Sequence, residues 1–311
     1  MNNAIQVRLP RSQRLLAMTY GFILLLALFT IAAPAQAATS YQTIVESGTP
    51  LTLDKINTNA TADKIALQPI GNIITWTSLQ LLGKPYAIGL LDRTTPEYLY
   101  ISLDQTDCML FIEEVVAVSQ LLKEHALNIA NLTREVKHLR YHGAVCYCNR
   151  NHYFKDWALA NIKKGIFVDE ALRLTHTTLP YSADVMSAYI RKTLASNPHA
   201  QDLSCIARRE NLINHEALGF IPLKDLPGYL PQIKSGDIIG IIRTPHGRAD
   251  SVHHLGIAYV HGNIVSMIHA SSDAKKVIIS DTLLGYLARF KDSQGIILLR
   301  TASKAYSEST R

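Results

Sequence analysis

Three residues of this chain carry side chains that could together cleave an acyl bond: Cys108, His254 and His269. A thiolate is a strong nucleophile, a histidine beside it acts as general base, and a third polar group orients that histidine. Cys108 follows Asp107, a good helix N-cap, so we expect the thiol in the first turn of a helix. There the helix dipole and unpaired backbone N–H groups would lower its pKa from about 8.5. The alternative role for such a cysteine is a small buried hydrophobe.

The candidate nucleophile begins a stretch with the composition of a buried helix. In "CMLFIEEVVAVSQLL" (108–122), apolar residues cover nearly every face, which is typical of a helix inside a core. His254 and His269 lie in short runs rich in β-branched residues, "HHLGIAYV" (253–260) and "NIVSMIHAS" (263–271), which predict two neighbouring strands. The chemistry therefore needs one helix packed against a sheet.

The segment "HGN" (261–263) predicts the turn between these two strands. If Val260 pairs with Ile264, His254 lies opposite Ala270, and the two histidines point to opposite faces of the sheet. A one-residue bulge would bring both to one face. The sequence leaves both arrangements open, so one surface histidine and one core histidine is the alternative.

The remaining elements predict an α+β fold. Residues 72–83 predict a helix that ends at Gly83, 97–103 predict a short strand, and helical patterns dominate from 107 to about 200. After Pro222 the pattern changes to short strands of an antiparallel sheet, so helices come first and the sheet second, packed as one unit. The predicted strands are 236–243, 253–260, 263–271, 276–281 and 295–300.

The first 37 residues have the features of a secretory signal peptide. Three arginines precede an apolar run (15–33), and Ala35-Gln36-Ala37 supplies small residues for cleavage after position 37. A retained membrane anchor is the alternative. We expect cleavage, export to the periplasm or the medium, and no stable membrane anchor afterwards. Residues 38–62 predict a mostly irregular mature N-terminus, followed by a single domain over 63–311.

The charge of the chain does not indicate a nucleic-acid partner. The formal net charge is +6, and removal of the three arginines in the signal leaves +3. This mild excess suits residence near an anionic cell envelope. Thiol chemistry needs no cofactor or metal, and none is expected; the oligomeric state stays open.

Four cysteines in a chain bound for an oxidising compartment predict a disulfide. Cys146 and Cys148 are too close for an easy mutual bridge, so one of them is expected to pair with Cys205. A metal site built on the two and His152 is a weaker alternative.

Five short motifs resemble, in their order along the chain, the signature of NlpC-type cysteine peptidases, papain-like enzymes that cut bacterial cell-wall peptides. A sixth segment, "NRNHYFKDW" (149–157), resembles the N-acetylmuramoyl-L-alanine amidase-like branch of that superfamily. With it, the resemblance spans roughly residues 70–300 and implies a papain-like fold. The five motifs are "GKPYAIG" (83–89), "DC" (107–108), "GDIIGI" (236–241), "HLGIAYV" (254–260) and "IHASS" (268–272).

The resemblance also implies roles for single residues. It makes Cys108 the nucleophile, His254 the general base and His269 the residue that orients the imidazole. Tyr86 would lie at the substrate cleft, and Asp107 would contact an amino group of the substrate, with a helix cap as its alternative role.

The chain departs from the family pattern in two ways. Met109 and Leu110 follow the cysteine in place of the usual small or hydroxylated residues, which makes the neighbouring pocket more apolar. The long separation of cysteine and histidine implies a helical insert over about 125–222. The insert residues expected at the substrate are Arg150, His152, Tyr153 and Trp157, with a buried polar corner as the alternative.

These features predict an exported cysteine hydrolase that acts on peptidoglycan or muropeptides through a thioester acyl-enzyme. The bond would be the amide between N-acetylmuramic acid and L-alanine, or the γ-D-glutamyl link to the diamino acid. One alternative is a metal-dependent hydrolase that uses histidines and Asp250 of "HGRADSVHH" (246–254) together with His269. Another is a cell-wall-binding protein without catalysis.

Overall fold

The computed structural model describes residues 41–92, 95–179, 182–244 and 251–302. The predicted signal peptide lies outside these ranges. Within them, no helix combines the length and the apolar character that a membrane span requires.

The N-terminal part contains regular elements where the sequence predicted irregular chain. Strand β1 (Thr43–Val45) is followed by helix α1 (Thr49–Ala62). The Thr- and Asn-rich composition hid this helix, but Leu53, Ile56 and Ala60 lie on one face and are buried. The prediction that 38–62 is mostly irregular is therefore wrong.

Two further predicted elements of this part are confirmed. Helix α2 (Ile70–Gln80) occupies most of the predicted 72–83, and Gly83 follows it with φ +82°. Strand β2 (Leu99–Ile101) lies within 97–103 and pairs in parallel with β1, in register from Thr43 and Leu99.

Helix α3 (Cys108–Lys123) is the buried helix that the sequence predicts. Nine of its apolar side chains and both glutamates are buried, and the helix packs against α2 on one side and the sheet on the other. Asp107 has extended backbone angles and caps the helix as N-cap. Cys108 is the first helical residue, so its position agrees with the prediction.

The segment predicted as a helical insert, about 125–222, contains mainly helices. It also contains two short strands, which pair with the last strand of the sheet and so tie the segment to it. In chain order its elements, with one short helix after them, are α4 (Ile129–Arg140), α5 (Phe154–Lys163), β3 (Phe167–Asp169), α6 (Glu170–Thr175), α7 (Val185–Lys192), α8 (Leu203–Asn214), β4 (Ile221–Pro222) and α9 (Leu226–Tyr229).

The predicted antiparallel sheet is confirmed. The elements after α9 are β5 (Ile238–Arg243), β6 (Ser251–His261), β7 (Ile264–Ser271), β8 (Lys276–Thr282), α10 (Leu283–Ala288) and β9 (Ser293–Thr301). The strand order of the sheet is β3-β9-β5-β6-β7-β8, with β4 paired to β9, and every pairing in it is antiparallel. One face packs on α3 and its neighbours, and the other packs on the short helix α10.

The β6–β7 hairpin corrects the predicted register by one residue. His261 pairs with Ile264 and Val260 pairs with Val265, so the loop is the two-residue turn Gly262-Asn263. Gly262 has φ +59°, a conformation that suits a tight two-residue turn. Because the register moves by one, the strand positions of the two candidate histidines come to the same face of the sheet.

Candidate active site

Asp107 and the first turn of α3 fix the position of the candidate nucleophile. The Asp107 carboxylate accepts hydrogen bonds from the backbone N–H of Met109 at 2.9 Å and of Leu110 at 2.8 Å. The backbone N–H of Phe111 donates to the carbonyl of Asp107 at 3.0 Å. The role of Asp107 as a helix cap is therefore observed, and its capped carboxylate is half-buried beside the thiol.

The thiol of Cys108 is not activated in the way that the sequence predicts. Burial raises its pKa to about 12, and the neighbouring Asp107 charge acts in the same direction. Two N–H groups of the first helical turn are already used by the Asp107 cap. The expectation of a lowered pKa is therefore wrong, and the resting group is the neutral thiol.

The thiol meets strand β6 at the residue after His254. The backbone N–H groups of Leu255, Cys108 and Met109 interact with the Cys108 sulfur and partly offset its raised pKa. Leu255 is buried in the core between α3 and the sheet. The candidate nucleophile therefore lies beside the residue of β6 that follows the candidate base.

His254 and His269 form a buried hydrogen-bonded pair. His254 Nε2 lies 2.6 Å from His269 Nδ1, and the rings are perpendicular at 4.8 Å between centroids. His254 is 9% exposed and His269 is 1% exposed. The pairing of His254 with Ile241 and a bulge at the next position set this orientation of β6.

Both histidines are neutral at rest. Burial lowers the pKa of His254 to about 3, and the nearby His269 and His253 add to the effect. Burial and the positive Arg289 lower the pKa of His269 to about 4. A neutral imidazole can accept a proton from a thiol, which is what a general base requires.

Tyr86 lies near the thiol, while its place at the substrate cleft stays a prediction. Burial raises the pKa of its phenol, and the Cys108 and Asp107 charges act in the same direction. The Tyr86 backbone N–H donates to the Lys275 carbonyl at 2.9 Å, and Ala87 N–H donates to the Thr106 carbonyl at 2.8 Å. The segment around Tyr86 therefore bridges the β7–β8 turn and the residues just before the nucleophile.

A buried ion pair fixes this bridging segment to α3. Lys84 Nζ lies 2.5 Å from Glu114 Oε2 and also donates to the Ser102 carbonyl at 3.0 Å. Thr106 Oγ1 donates to the same Glu114 oxygen at 3.2 Å. The segment that carries Tyr86 and the residue just before Asp107 are therefore both bound to the Glu114 carboxylate.

A second buried ion pair connects α3 to the insert. Arg140 Nε donates to Glu113 at 2.8 Å, and its Nη1 donates to the Tyr100 carbonyl at 2.7 Å. Sequence analysis missed both ion pairs, although two adjacent glutamates inside an apolar helix indicate buried partners, since an unpaired buried charge is very costly. Glu113, Glu114, Lys84 and Arg140 therefore position the nucleophile helix.

The insert forms one wall of a cleft of about 580 Å³ beside the nucleophile. Asp107 and Met109 line it from α3, and Arg150 and His152 line it from the insert. Arg150 is held by Asp92 at 2.6 Å, so its charge is already paired.

His152 lines the same cleft without a charge. Its Nε2 lies 2.7 Å from the Tyr147 carbonyl, and burial and the positive Arg150 lower its pKa to about 3. The structure thus brings Arg150 and His152 to the cleft, Arg150 in a structural ion pair and His152 as a neutral ring.

Tyr153 and Trp157 are not brought to this cleft. Trp157 is fully buried between Phe154 and Phe167, so the expectation that it contacts substrate is wrong. The reason is that α5 turns this face toward the core. Tyr153 donates its hydroxyl to Glu210 at 2.6 Å and accepts from the Met186 N–H, which ties α7 to α8.

The predicted disulfide is present as Cys148–Cys205, while Cys108 and Cys146 are free. Within the described residues, the group spaced for a metal ion is Cys148, Cys205 and Asp202, and it contains the two bonded cysteines. His152 does not belong to this group.

Of the histidines considered for a metal-dependent hydrolase, the three that the structure describes do not converge on one point. His246 and Asp250 lie outside the described residues. His254 and His269 are hydrogen-bonded to each other, whereas His253 is exposed and lies 2.7 Å from Arg243 Nη1.

Sequence analysis missed one aromatic residue at the pair. Tyr286 of α10 is 8% exposed, and its ring lies 6.0 Å from that of His254 and 5.2 Å from that of His269. Ionisation of Cys108 would raise the pKa of the Tyr286 phenol further, which places the two groups near each other. The segment "LLGYLARF" (283–290) gave no spacing signal that connects it to the histidines.

A family model described as N-acetylmuramoyl-L-alanine amidase-like (AmiA-like) matches residues 76–296. No curated protein matches the chain.

Solved structures share the fold. A Bacteroides uniformis structure described as an N-acetylmuramoyl-L-alanine amidase is 28% identical, covers 75% of this chain and 99% of its own, and has a TM-score of 0.68. A Bacteroides fragilis structure described as a xylanase candidate is 27% identical, covers 73% of this chain and 100% of its own, and has a TM-score of 0.66. The Legionella pneumophila protein LPG0564 is 20% identical, and the match covers 82% of this chain and 94% of that protein, with a TM-score of 0.59. This last likeness is one of fold alone.

The match covers α3, the sheet strands of both histidines and the insert between them. It supports a hydrolase that acts on cell-wall peptides. By this match, the chain belongs to the N-acetylmuramoyl-L-alanine amidase-like family.

Proposed function

We propose that the protein is an exported cysteine amidase that cleaves the amide between the lactyl group of N-acetylmuramic acid and L-alanine. The observation that carries this proposal is the arrangement of Cys108 at the Leu255 amide, one residue from a His254 that is hydrogen-bonded to His269. The substrate is peptidoglycan or a muropeptide released from it.

The first half of the reaction uses the neutral thiol and neutral imidazole. His254 Nε2 and His269 Nδ1 share one hydrogen bond. We assign its proton to His254 Nε2, which leaves His254 Nδ1 as the acceptor for the thiol proton. As the proton leaves, Cys108 Sγ attacks the lactyl carbonyl carbon and forms a C–S bond. The imidazolium then protonates the nitrogen of L-alanine, and the C–N bond breaks.

The second half releases the acyl group. His254 takes a proton from water, and the water oxygen attacks the thioester carbonyl. The C–S bond then breaks, and the imidazolium returns its proton to the sulfur, which restores the neutral thiol and imidazole. The Cys108 backbone N–H and the Tyr86 hydroxyl are the donors that we assign to the oxyanion, because the first-turn N–H groups of Met109 and Leu110 are occupied by Asp107.

The choice of bond rests on the relatives. The Bacteroides uniformis structure, which this chain covers almost completely, is described as an N-acetylmuramoyl-L-alanine amidase. We therefore place cleavage at the lactyl amide and treat the γ-D-glutamyl bond as the competing outcome. An NlpC-type, papain-like arrangement, with the nucleophile helix packed on an antiparallel sheet, is part of the same proposal, as is export through residues 1–37.

A xylanase activity is less well supported. Glycoside hydrolysis needs two carboxyl groups that flank the bond. The two carboxylates that line the cleft in the described part of the chain are already engaged: Asp92 pairs with Arg150, and Asp107 caps the nucleophile helix. Glu113 and Glu114 of that helix are held in buried ion pairs with Arg140 and Lys84.

The test is a digestion of isolated peptidoglycan and of soluble muropeptides under reducing conditions, beside Cys108→Ala, with products identified by mass. We expect free stem peptides that begin with L-alanine, produced only by the protein with Cys108. Stem peptides split after D-glutamate would move the cut to the γ-D-glutamyl bond. Activity in Cys108→Ala, or loss of activity only with a chelator, would overturn the thiol mechanism.

A further inference from the structure

A tyrosine of α10 is in contact with both rings of the histidine pair. The Tyr286 ring lies at 26° to the plane of His254 and at 72° to that of His269. Its centroid distances of 6.0 and 5.2 Å are within the range of aromatic contacts. The Tyr286 ring therefore packs on both imidazoles.

The placement of Tyr286 is held by the helix that carries it. Thr282 caps α10 by accepting a hydrogen bond from the Gly285 N–H at 3.1 Å. Leu283 and Leu287, on the same face of the helix as Tyr286, are fully buried in the second core. A ring anchored in this way cannot move without moving the short helix.

Charged groups surround the far side of this ring. Arg289 stands 5.4 Å from the ring centroid and is paired with Asp273 at 3.3 Å. Burial raises the pKa of the Tyr286 phenol, with smaller effects from Arg289, Asp273, Cys108 and Arg243. The phenol therefore stays neutral, and the face toward the histidines is an uncharged aromatic surface.

We infer that Tyr286 is a positioning residue for the general base of the proposed reaction. The His254–His269 hydrogen bond fixes one ring nitrogen of His254, but rotation about the side-chain torsions is limited only by what packs on the ring. Tyr286 packs on it and so restricts the imidazole to the orientation that can receive the thiol proton. This inference rests on the proposed function, because the orientation matters only if His254 acts as a base.

The test compares Tyr286→Phe, which keeps the ring, with Tyr286→Leu, which removes it. With a muropeptide substrate, we expect Tyr286→Leu to lower kcat about tenfold or more with KM within about twofold, since misorientation of a catalytic group costs rate. Tyr286→Phe should keep kcat within about twofold of the original protein. Phe290→Leu is the matched control, because Phe290 contacts Tyr286 at 5.6 Å and His253, which the mechanism does not use.

A second readout needs no turnover. Nitrogen-15 NMR of the histidine side chains reports which ring nitrogen of His254 carries the proton. We expect one tautomer, protonated at Nε2, in the original protein and in Tyr286→Phe, and a mixture of tautomers in Tyr286→Leu. If Tyr286→Leu does not fold, Tyr286→Met, whose flexible side chain fills irregular space, takes its place.

The outcomes separate the two proposals. No turnover by the original protein would contradict the proposed function, while the NMR comparison still decides for Tyr286. Unchanged kcat and an unchanged tautomer in Tyr286→Leu would overturn the positioning role. So would an equal loss in Tyr286→Phe, because the hydroxyl and not the ring would then be responsible, or an equal loss in Phe290→Leu.

Discussion

At the scale of single residues, the protonation states of Cys108 and His254 decide how the site works. A thiol with a pKa of about 12 and an imidazole with a pKa of about 3 form a neutral pair at rest. The proton must therefore move during the attack on the carbonyl. This differs from a preformed ion pair, in which the thiolate exists before substrate binds.

The neutral pair predicts a steep pH dependence of Cys108 alkylation. Iodoacetamide reacts with the thiolate, whose fraction increases tenfold per pH unit below the thiol pKa, so the rate should rise steadily from pH 6 to pH 10. A Cys146→Ser background leaves Cys108 as the free cysteine to be followed by mass spectrometry. A plateau of fast alkylation between about pH 5 and pH 8 would indicate a preformed ion pair instead.

In the proposed mechanism His254 donates its hydrogen bond to His269. The orientation of the base therefore requires a hydrogen-bond acceptor at position 269. His269→Ala removes the acceptor and should lower kcat by about 10²-fold, within the range by which positioned acid–base groups act. His269→Asn offers a carbonyl oxygen near the position of Nδ1 and should recover most of that loss. Equal kcat values for the two variants, measured on the same muropeptide, would exclude the orienting role.

At the scale of elements, α3 is held in place by the ion pairs of two buried glutamates. An apolar helix tolerates these carboxylates because each one is paired. Glu114 is tied to Lys84 in the segment that carries Tyr86, and Glu113 is tied to Arg140 in the insert. Burial raises the pKa of Glu114 to about 7, and its partner Lys84 opposes this effect. The register of the nucleophile relative to its surroundings depends on these pairs.

The Lys84–Glu114 pair predicts strongly unequal effects of single and double substitution. Lys84→Met or Glu114→Leu alone leaves an unpaired buried charge and should lower the free energy of unfolding by about 3 kcal/mol or more. The double variant, which removes both charges, should recover most of this loss. Urea unfolding measures all three, with Lys163→Met as the control, because Lys163 pairs with Glu216 at the exposed surface. Additive losses in the double variant would argue against a coupled pair.

Sequence patterns predict which helices and strands form in this fold better than they predict the register in which neighbouring strands pair. The Asp107 cap, the buried α3 and all five later strands follow from periodicity and turn residues. The β6–β7 register does not, because a two-residue and a three-residue turn at 261–263 fit the same residues and differ only in backbone angles.

The same limit applies to the candidate site. The positions of Cys108 and the two histidines follow from chain order and resemblance, but their contacts depend on tertiary packing. Lys84 and Glu114 are far apart in sequence, and Tyr286 reaches the histidines only because α10 folds back on the sheet. Such contacts leave no periodic signal.

At the scale of the whole molecule, the insert forms the cleft together with the residues that flank the nucleophile and the segment around Asp92. The Cys148–Cys205 disulfide joins the segment after α4 to the start of α8, and residues from both regions, such as Tyr147 and His199, line the cleft. Strands β3 and β4 add the insert to the sheet through β9. The disulfide therefore cross-links two parts of the insert that line the cleft, and β3 and β4 join the insert to the sheet.

The disulfide predicts a clear loss of stability on its removal. It closes a loop with a sequence separation of 57 residues. Cross-linking a loop of that length restricts the unfolded chain and contributes about 4 kcal/mol at most, less any strain. Cys148→Ser with Cys205→Ser should lower the free energy of unfolding by about 2–4 kcal/mol in urea, whereas Cys146→Ser should change it little. Equal stability of all three proteins would mean that the bond does not form in solution.

The central claim is that Cys108 is acylated by the substrate, and mass spectrometry of the quenched reaction tests it most directly. Protein mixed with muropeptide and stopped in acid within milliseconds is digested, and the peptide that contains Cys108 is weighed. The account predicts an added mass equal to the acyl part of the substrate on that peptide, removed by hydroxylamine as a thioester is. Turnover without any such adduct, together with an active Cys108→Ala variant, would contradict it.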